Sequence, residues 1–156
     1  MKGRLLAQFF RESQPIRDVP IAQLLIRLMV GCVFLSEGIQ KFLFPDTVGL
    51  GRFMKIGIPE PEFVAPFVGM VEMVCGAMVL AGFFARLAAI PLICIMLAAI
   101  ATTKIPILME KGFWSMAHDS RTDWSMLLGS VVILIIGAGR WSLDGARERH
   151  SPDGNS

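Results

Sequence analysis

Three cysteines and two histidines are all that the 156 residues provide for soft-metal or thiol chemistry. Cys32, Cys75 and Cys94 stand singly inside apolar stretches, with no C-x-x-C pair and no histidine at ligand spacing. That argues against a zinc site, an iron–sulfur centre or a dithiol redox motif, and reads the thiols as small buried hydrophobes. His118 falls in a loop and His150 in the tail, so paired axial ligation of a haem within one chain is out of reach, and no metal site is expected. Charge of one sign is scarce as well: 15 Lys and Arg face 13 Asp and Glu, a formal net charge of +2. The basic residues sit at segment ends rather than on one face, which leaves nucleic acid no electrostatic footprint. GLGRFM, starting at Gly49, lacks the third glycine, the preceding strand and the following soluble helix of a dinucleotide fingerprint. The N-terminal stretch 1–19 lacks the unbroken apolar core of a signal peptide. Its Leu5, Leu6, Phe9 and Phe10 lie among Lys2, Arg4, Arg11 and Arg17, a short amphipathic segment for the cytoplasmic membrane surface.

Apolar residues are what the chain has in abundance. They make up 54% of it against 18% charged, with a mean hydropathy of +0.60, too apolar for most soluble folds of this length. The expectation is an all-α protein, a membrane-spanning four-helix bundle with short interfacial helical segments, occupying residues 20–144 and followed by a flexible polar tail, 145–156. The first span is the apolar run from Pro20 to Phe44, long enough for a hydrocarbon core of about 30 Å. Ala65 to Gly82 makes the second, Leu87 to about Thr103 the third, and Asp123 to about Ala138 the fourth. Pro45 to Pro66 reads as a lid-like loop with a short interfacial helix, and Ile107 to Thr122 as a second longer loop. Counting basic residues by side gives eight with the termini against five on the other side, so both termini are expected in the cytoplasm.

The anomaly is charge inside these spans. At about 100° per residue, Gln23, Arg27, Gly31, Phe34, Glu37, Gly38 and Lys41 share one stripe that lipid would reject, so the stripe should face other helices. In the second span Gly69, Glu72 and Gly76 likewise share a face. On the four-span topology Glu37 and Glu72 lie at similar depth in the outer half, near Lys41, Lys104, His118 and Asp123, under loops that supply Trp114 and Phe53. Two carboxyls at one buried level need cations, and Lys41 and Lys104 are at hand. Two readings stay open. Glu37 and Glu72 are the candidate catalytic groups, exchanging protons with a ligand held by Lys41, Lys104, Trp114, His118 and Asp123; or pairs Glu37–Lys41 and Glu72–Lys104 merely lock helices. Asp123 also suits a helix cap or first-turn acid. Arg27, Gly31, Gly38, Gly69 and Gly76 are expected to be structural, Arg27 holding a neighbouring helix near the inner end.

RLMVGCVFLSEGIQKF, then FMKIGIPEPEFVAPFVGMVEMVCGAMVLAGFFARLAA, then the closing GAGRWSLD, together resemble the DoxX family of small four-helix membrane proteins over about Leu25 to Asp144. The resemblance implies a bacterial or archaeal plasma-membrane protein. It also implies kinship with the small subunit of a thiosulfate:quinone oxidoreductase and with membrane-associated oxidoreductase complexes that respond to oxidative stress. It places Glu37, Lys41 and Glu72 at the family's charged positions and gives Gly139, Ser142 and Asp144 a structural role in the closing motif. Ala138 stands where the family commonly has proline, a departure expected to loosen that turn. The function so implied is a membrane subunit of a quinone-linked redox system, with no covalent cofactor, a bound quinone or small anionic substrate, and a partner subunit or second copy beside it in the bilayer. The alternative is a non-enzymatic small transporter or a scaffolding subunit.

Overall fold

The structure, a computed structural model, describes residues 20–145. The amphipathic segment expected at 1–19 and all but the first residue of the tail expected at 145–156 lie outside the described residues. Seven helices follow in order: α1 (Pro20–Leu43), α2 (Leu50–Lys55), α3 (Pro61–Ala81), α4 (Ala85–Ala99), α5 (Ile105–Lys111), α6 (Phe113–Asp119) and α7 (Arg121–Ile136), with one π turn, Ile100–Lys104, joining α4 to α5. Three stretches are long and apolar enough to cross a membrane: Pro20–Leu43, Pro61–Ala81 and Ala85–Lys111. The fourth long helix, α7, has 16 residues, about 24 Å of rise, and completes the all-α four-helix arrangement.

The boundaries differ from the expected ones for local reasons. α3 begins at Pro61 rather than Ala65, because a proline in the first turn has no N–H to lose. The third span was expected to stop near Thr103, before Pro106. The helix instead widens into the π turn through Lys104 and restarts as α5 with its proline in the first turn, so the missing donor again falls where none is needed. The loop expected from Ile107 to Thr122 is therefore mostly helix, α5 and α6, which bend against each other at Gly112, where φ is +79°.

α1 packs on α3, α3 on α4, α4 on α7, and α7 closes the ring on α1. Val30, Phe34, Val79, Ala88, Leu92 and Ile133 form the centre of the core. On α1 the buried face is Gln23, Arg27, Val30, Gly31, Phe34 and Gly38, while Leu25, Leu28 and Met29 face outward. That is the inside-out pattern a bilayer permits, since lipid tails are as apolar as leucine.

Glycine sets the α1–α3 distance. A Cβ on Gly38 would lie 2.6 Å from the Gly69 carbonyl oxygen, and one on Gly31 would lie 2.9 Å from that of Gly76. Two facing glycine pairs thus let antiparallel backbones touch.

The opposite end of the bundle is held by Arg27, which is 2% exposed. Its Nε donates to the Val79 carbonyl at 3.0 Å and Nη2 to that of Leu80 at 2.5 Å, the last carbonyls of α3. Nη1 reaches the carbonyls of Ala138 (3.2 Å) and Trp141 (2.7 Å) in the segment after α7. The Val79 carbonyl also accepts the Gly82 N–H at 3.1 Å, so one forked cation adds to the backbone cap of α3 and joins it to the segment after α7. That segment returns to the α3–α4 turn, where the Asp144 carboxylate accepts from the N–H groups of Phe84 (2.9 Å) and Ala85 (3.2 Å) and caps α4. Ser142 donates to the Gly139 carbonyl, and Gly139, at φ +80°, leaves no room for a side chain beside Gln23. Ala138 is buried in the core, its carbonyl held by Arg27, so the turn has a fastening of its own where the expected looseness would lie.

Candidate functional site

Away from the Arg27 end, the helices form two fastened pairs with a space between them. On one side Lys41 Nζ donates to Glu72 Oε2 at 2.5 Å, tying α1 to α3; the side chains are 10% and 4% exposed. On the other side Lys104 Nζ meets Asp123 Oδ2 at 2.9 Å, tying the π turn to the first turn of α7, and also donates to the Asp119 carbonyl at 2.9 Å. No ion pair runs from one helix pair to the other among the described residues.

A cavity of about 530 Å³ occupies the space, within the usual range for small-molecule sites. All four of those charged residues line it, together with Glu37 on α1 and Arg52 on α2. The remaining walls are mostly apolar, with Val33, Phe34, Val68, Met96 and Met126 among them. α2 and its flanks roof it, contributing Val48, Phe53, Ile56 and Ile58. Phe53 is buried there, which explains why a six-residue helix holds its place.

The π turn has a local consequence. An extra residue wound into the ladder carries Lys104 round to the interior face, whereas its neighbour Ile105 is exposed. Thr102 and Thr103, which also line the cavity, return their hydroxyls to the carbonyls of Ala98 and Ala99.

The candidate residues divide. Glu37, Lys41, Glu72, Lys104 and Asp123 line one cavity, but only Glu72 of the two expected buried carboxyls is buried; Glu37 is exposed. Trp114 and His118 do not: both are exposed on α6, outside the lining, because α5 carries the chain beyond the cavity before α6 begins. The pairing is also different from the one weighed above. Glu72 takes Lys41, not Lys104, since the facing glycines bring α3 against α1; Lys104 takes Asp123, since α4 packs on α7. Asp123 is the first-turn acid of α7 with Ser120 at the cap, and its carboxylate is used by Lys104. Arg52 was not foreseen as a site residue. The signal that could have found it is a short amphipathic helix, with Phe53 turned in and Arg52 beside it, placed by the two adjoining loops over the charged span. ATTK, a polar cluster closing an apolar run, was the comparable signal for Thr102 and Thr103. No group of three or more His, Cys, Asp or Glu able to hold a metal ion occurs among the described residues.

Chemically, the cavity offers apolar walls to a ring or chain and a polar rim of paired and unpaired charges. A carboxylate such as Glu37 accepts, a guanidinium or ammonium donates, and Glu72 sits with Lys41 where protonation and pairing are coupled.

Comparison with known proteins places this arrangement. The family model described as DoxX matches residues 22–105. An uncharacterised membrane protein of Mycobacterium tuberculosis is 53% identical over 131 residues, covering 80% of each chain. CatD of Bacillus subtilis, provisionally named an oxidoreductase, is 26% identical over 128 residues, 82% of this chain and 88% of its own. No solved structure matches.

Proposed function

Because this chain belongs to the DoxX family, we propose that it is a multi-pass plasma-membrane subunit of a quinone-linked oxidoreductase system and that the cavity between its two helix pairs is the quinone site. The observation that carries the reading is the cavity itself: ionisable groups and an apolar lining meet in one space of ring size within the bundle. A small oxyanion would leave those apolar walls unused. The provisional name of the Bacillus relative points toward the same chemistry. A quinone bound there supplies acceptance of two electrons and two protons at its ring oxygens. For their part, Glu37 and Glu72 hold and deliver protons at those oxygens, while Lys41 and Lys104 stabilise negative charge. The excess of basic residues on the side of the chain ends puts both termini in the cytoplasm and the cavity in the outer half of the bilayer. Electrons then reach the site from a partner subunit.

The test is to purify the full chain in mild detergent and identify extracted small molecules by mass spectrometry. A quinone should co-purify, and Glu37→Gln and Glu72→Gln should lose it while remaining folded. A second reading, a non-enzymatic transporter or scaffolding subunit, draws on the fact that each ion pair ties two neighbouring helices together. It prevails if nothing co-purifies and the two variants change only thermal stability.

A further inference from the structure

The cavity reaches the lipid-facing surface of α4. Leu87, Ile90, Cys94, Leu97 and Ala101 recur at intervals of three and four along that helix and the π turn, and all five are exposed, so they form the stripe this span turns outward. Cys94 belongs to the stripe and also lines the cavity; Ala98 and Thr102, at successive steps of four, are likewise exposed and likewise line it. From there the lining passes round the helix to Met96, which packs against the core. One space thus runs from the core to the outward face. Val64 and Val68 of α3 supply its other wall. α3 and α4 adjoin at the turn through Gly82, Phe83 and Phe84, but farther along Glu72 ties α3 to α1 and Lys104 ties the π turn to α7, so the two helices are drawn to different neighbours.

Size and polarity suit this aperture to hydrocarbon. Where the outward stripe elsewhere carries leucine and isoleucine, the mouth of the cavity is edged by the short side chains of Cys94, Ala98 and Thr102. The Thr102 hydroxyl is spent on the Ala98 carbonyl at 2.8 Å, which leaves its methyl to the opening. Cys94 lies about 15 Å along the helix from Lys104, so the aperture runs from beneath the ion-paired end toward the middle of a hydrocarbon layer about 30 Å thick. A wholly polar ligand has no use for such a passage, whereas an amphiphile uses its whole length, head among the charges and tail in the acyl chains. Building on the reading of the cavity as a quinone site, we infer that its substrate is a lipid-resident quinone with a long hydrocarbon tail, which enters sideways from the bilayer and leaves its tail in the aperture beside Ala98 and Cys94. Lipid is as apolar as the aperture, so the tail gains little by lying there. The opening admits the tail without attracting it, and closing it is what should discriminate.

The experiment uses the full chain in lipid nanodiscs, with two probes: duroquinone, and its analogue in which a decyl chain replaces one ring methyl. Both rings are fully substituted, which avoids addition to Cys94. Affinities are compared at equal concentration in the lipid phase, with empty nanodiscs subtracted for partitioning. Wild type should bind both probes. Ala98→Phe should weaken the decyl probe by about tenfold or more, the cost of forcing a ring and a chain into one space, and leave duroquinone unchanged. Cys94→Phe, one turn deeper in the aperture, should act in the same way and stands in if Ala98→Phe does not fold. Leu97→Phe, on an exposed neighbour outside the cavity lining, should alter neither probe. Loss of both probes in the aperture variants, or of neither, with circular dichroism unchanged, overturns the tail's route and leaves the quinone site intact. A co-purified phospholipid that the decyl probe does not displace gives the aperture to the bilayer's own lipid and overturns it too. If neither probe binds wild type above empty nanodiscs, the quinone reading of the cavity falls and this inference falls with it.

Discussion

Lys41 and Glu72 meet at 2.5 Å across the contact between α1 and α3, within one turn of the Gly38–Gly69 approach that brings the two backbones together. The ion pair and the glycines are parts of one device. Close backbones shorten the distance that a lysine side chain must span, and the pair in turn fills a contact that has little side-chain volume of its own.

The two ends of that pair should not be equivalent. Lys41→Met leaves Glu72 in an apolar contact with its cation gone and should cost about 3 kcal/mol. Glu72→Gln leaves Lys41 with Glu37 four residues before it on the same helix, so it should cost less. Thermal unfolding in detergent measures the order, and the double variant Lys41→Met, Glu72→Leu should recover most of the loss.

Gly38→Ala drives a methyl into the backbone oxygen of Gly69, which cannot give way without moving α3. At Gly69 the nearest atoms are side-chain carbons of Phe42 and Lys41, at 3.0 and 3.3 Å. The first substitution should therefore cost about 2 kcal/mol and the second clearly less. A thermal-shift comparison of the two alanine variants reads the difference, and equal losses would mean the helices separate easily.

Arg27 answers four backbone carbonyls on two segments. Arg27→Lys keeps the charge but not the fork, so several of those carbonyls lose their partner, and a loss of about 3 kcal/mol or more is expected. Asp144→Ala removes the cap from Phe84 and Ala85 alone and should cost about 1 kcal/mol. Protease resistance of the segment after α7 should fall in both variants, further in Arg27→Lys.

Orientation has its own check. Single cysteines replacing Lys55 and Lys111, in a background with Cys32, Cys75 and Cys94 removed, should react with an impermeant maleimide added outside intact cells. Labelling of both only after lysis would reverse the orientation and put the cavity in the inner half.

Much of this protein was legible along the chain. Helical periodicity is a local property, so the apolar lengths gave the membrane-crossing helices, the stripe on α1 gave its inward face except at Glu37, which is exposed, and Gly31, Gly38, Gly69 and Gly76 marked where backbones approach. Partner choice is not local. It depends on how helices rotate and cross, so only the folded bundle decided that Lys41 takes Glu72, that a π turn carries Lys104 to Asp123, and that Trp114 and His118 stay outside the cavity. Arg27 shows the division most plainly: its position in an apolar span announced a buried cation with a task, but two of the four carbonyls it serves belong to Ala138 and Trp141, more than a hundred positions away.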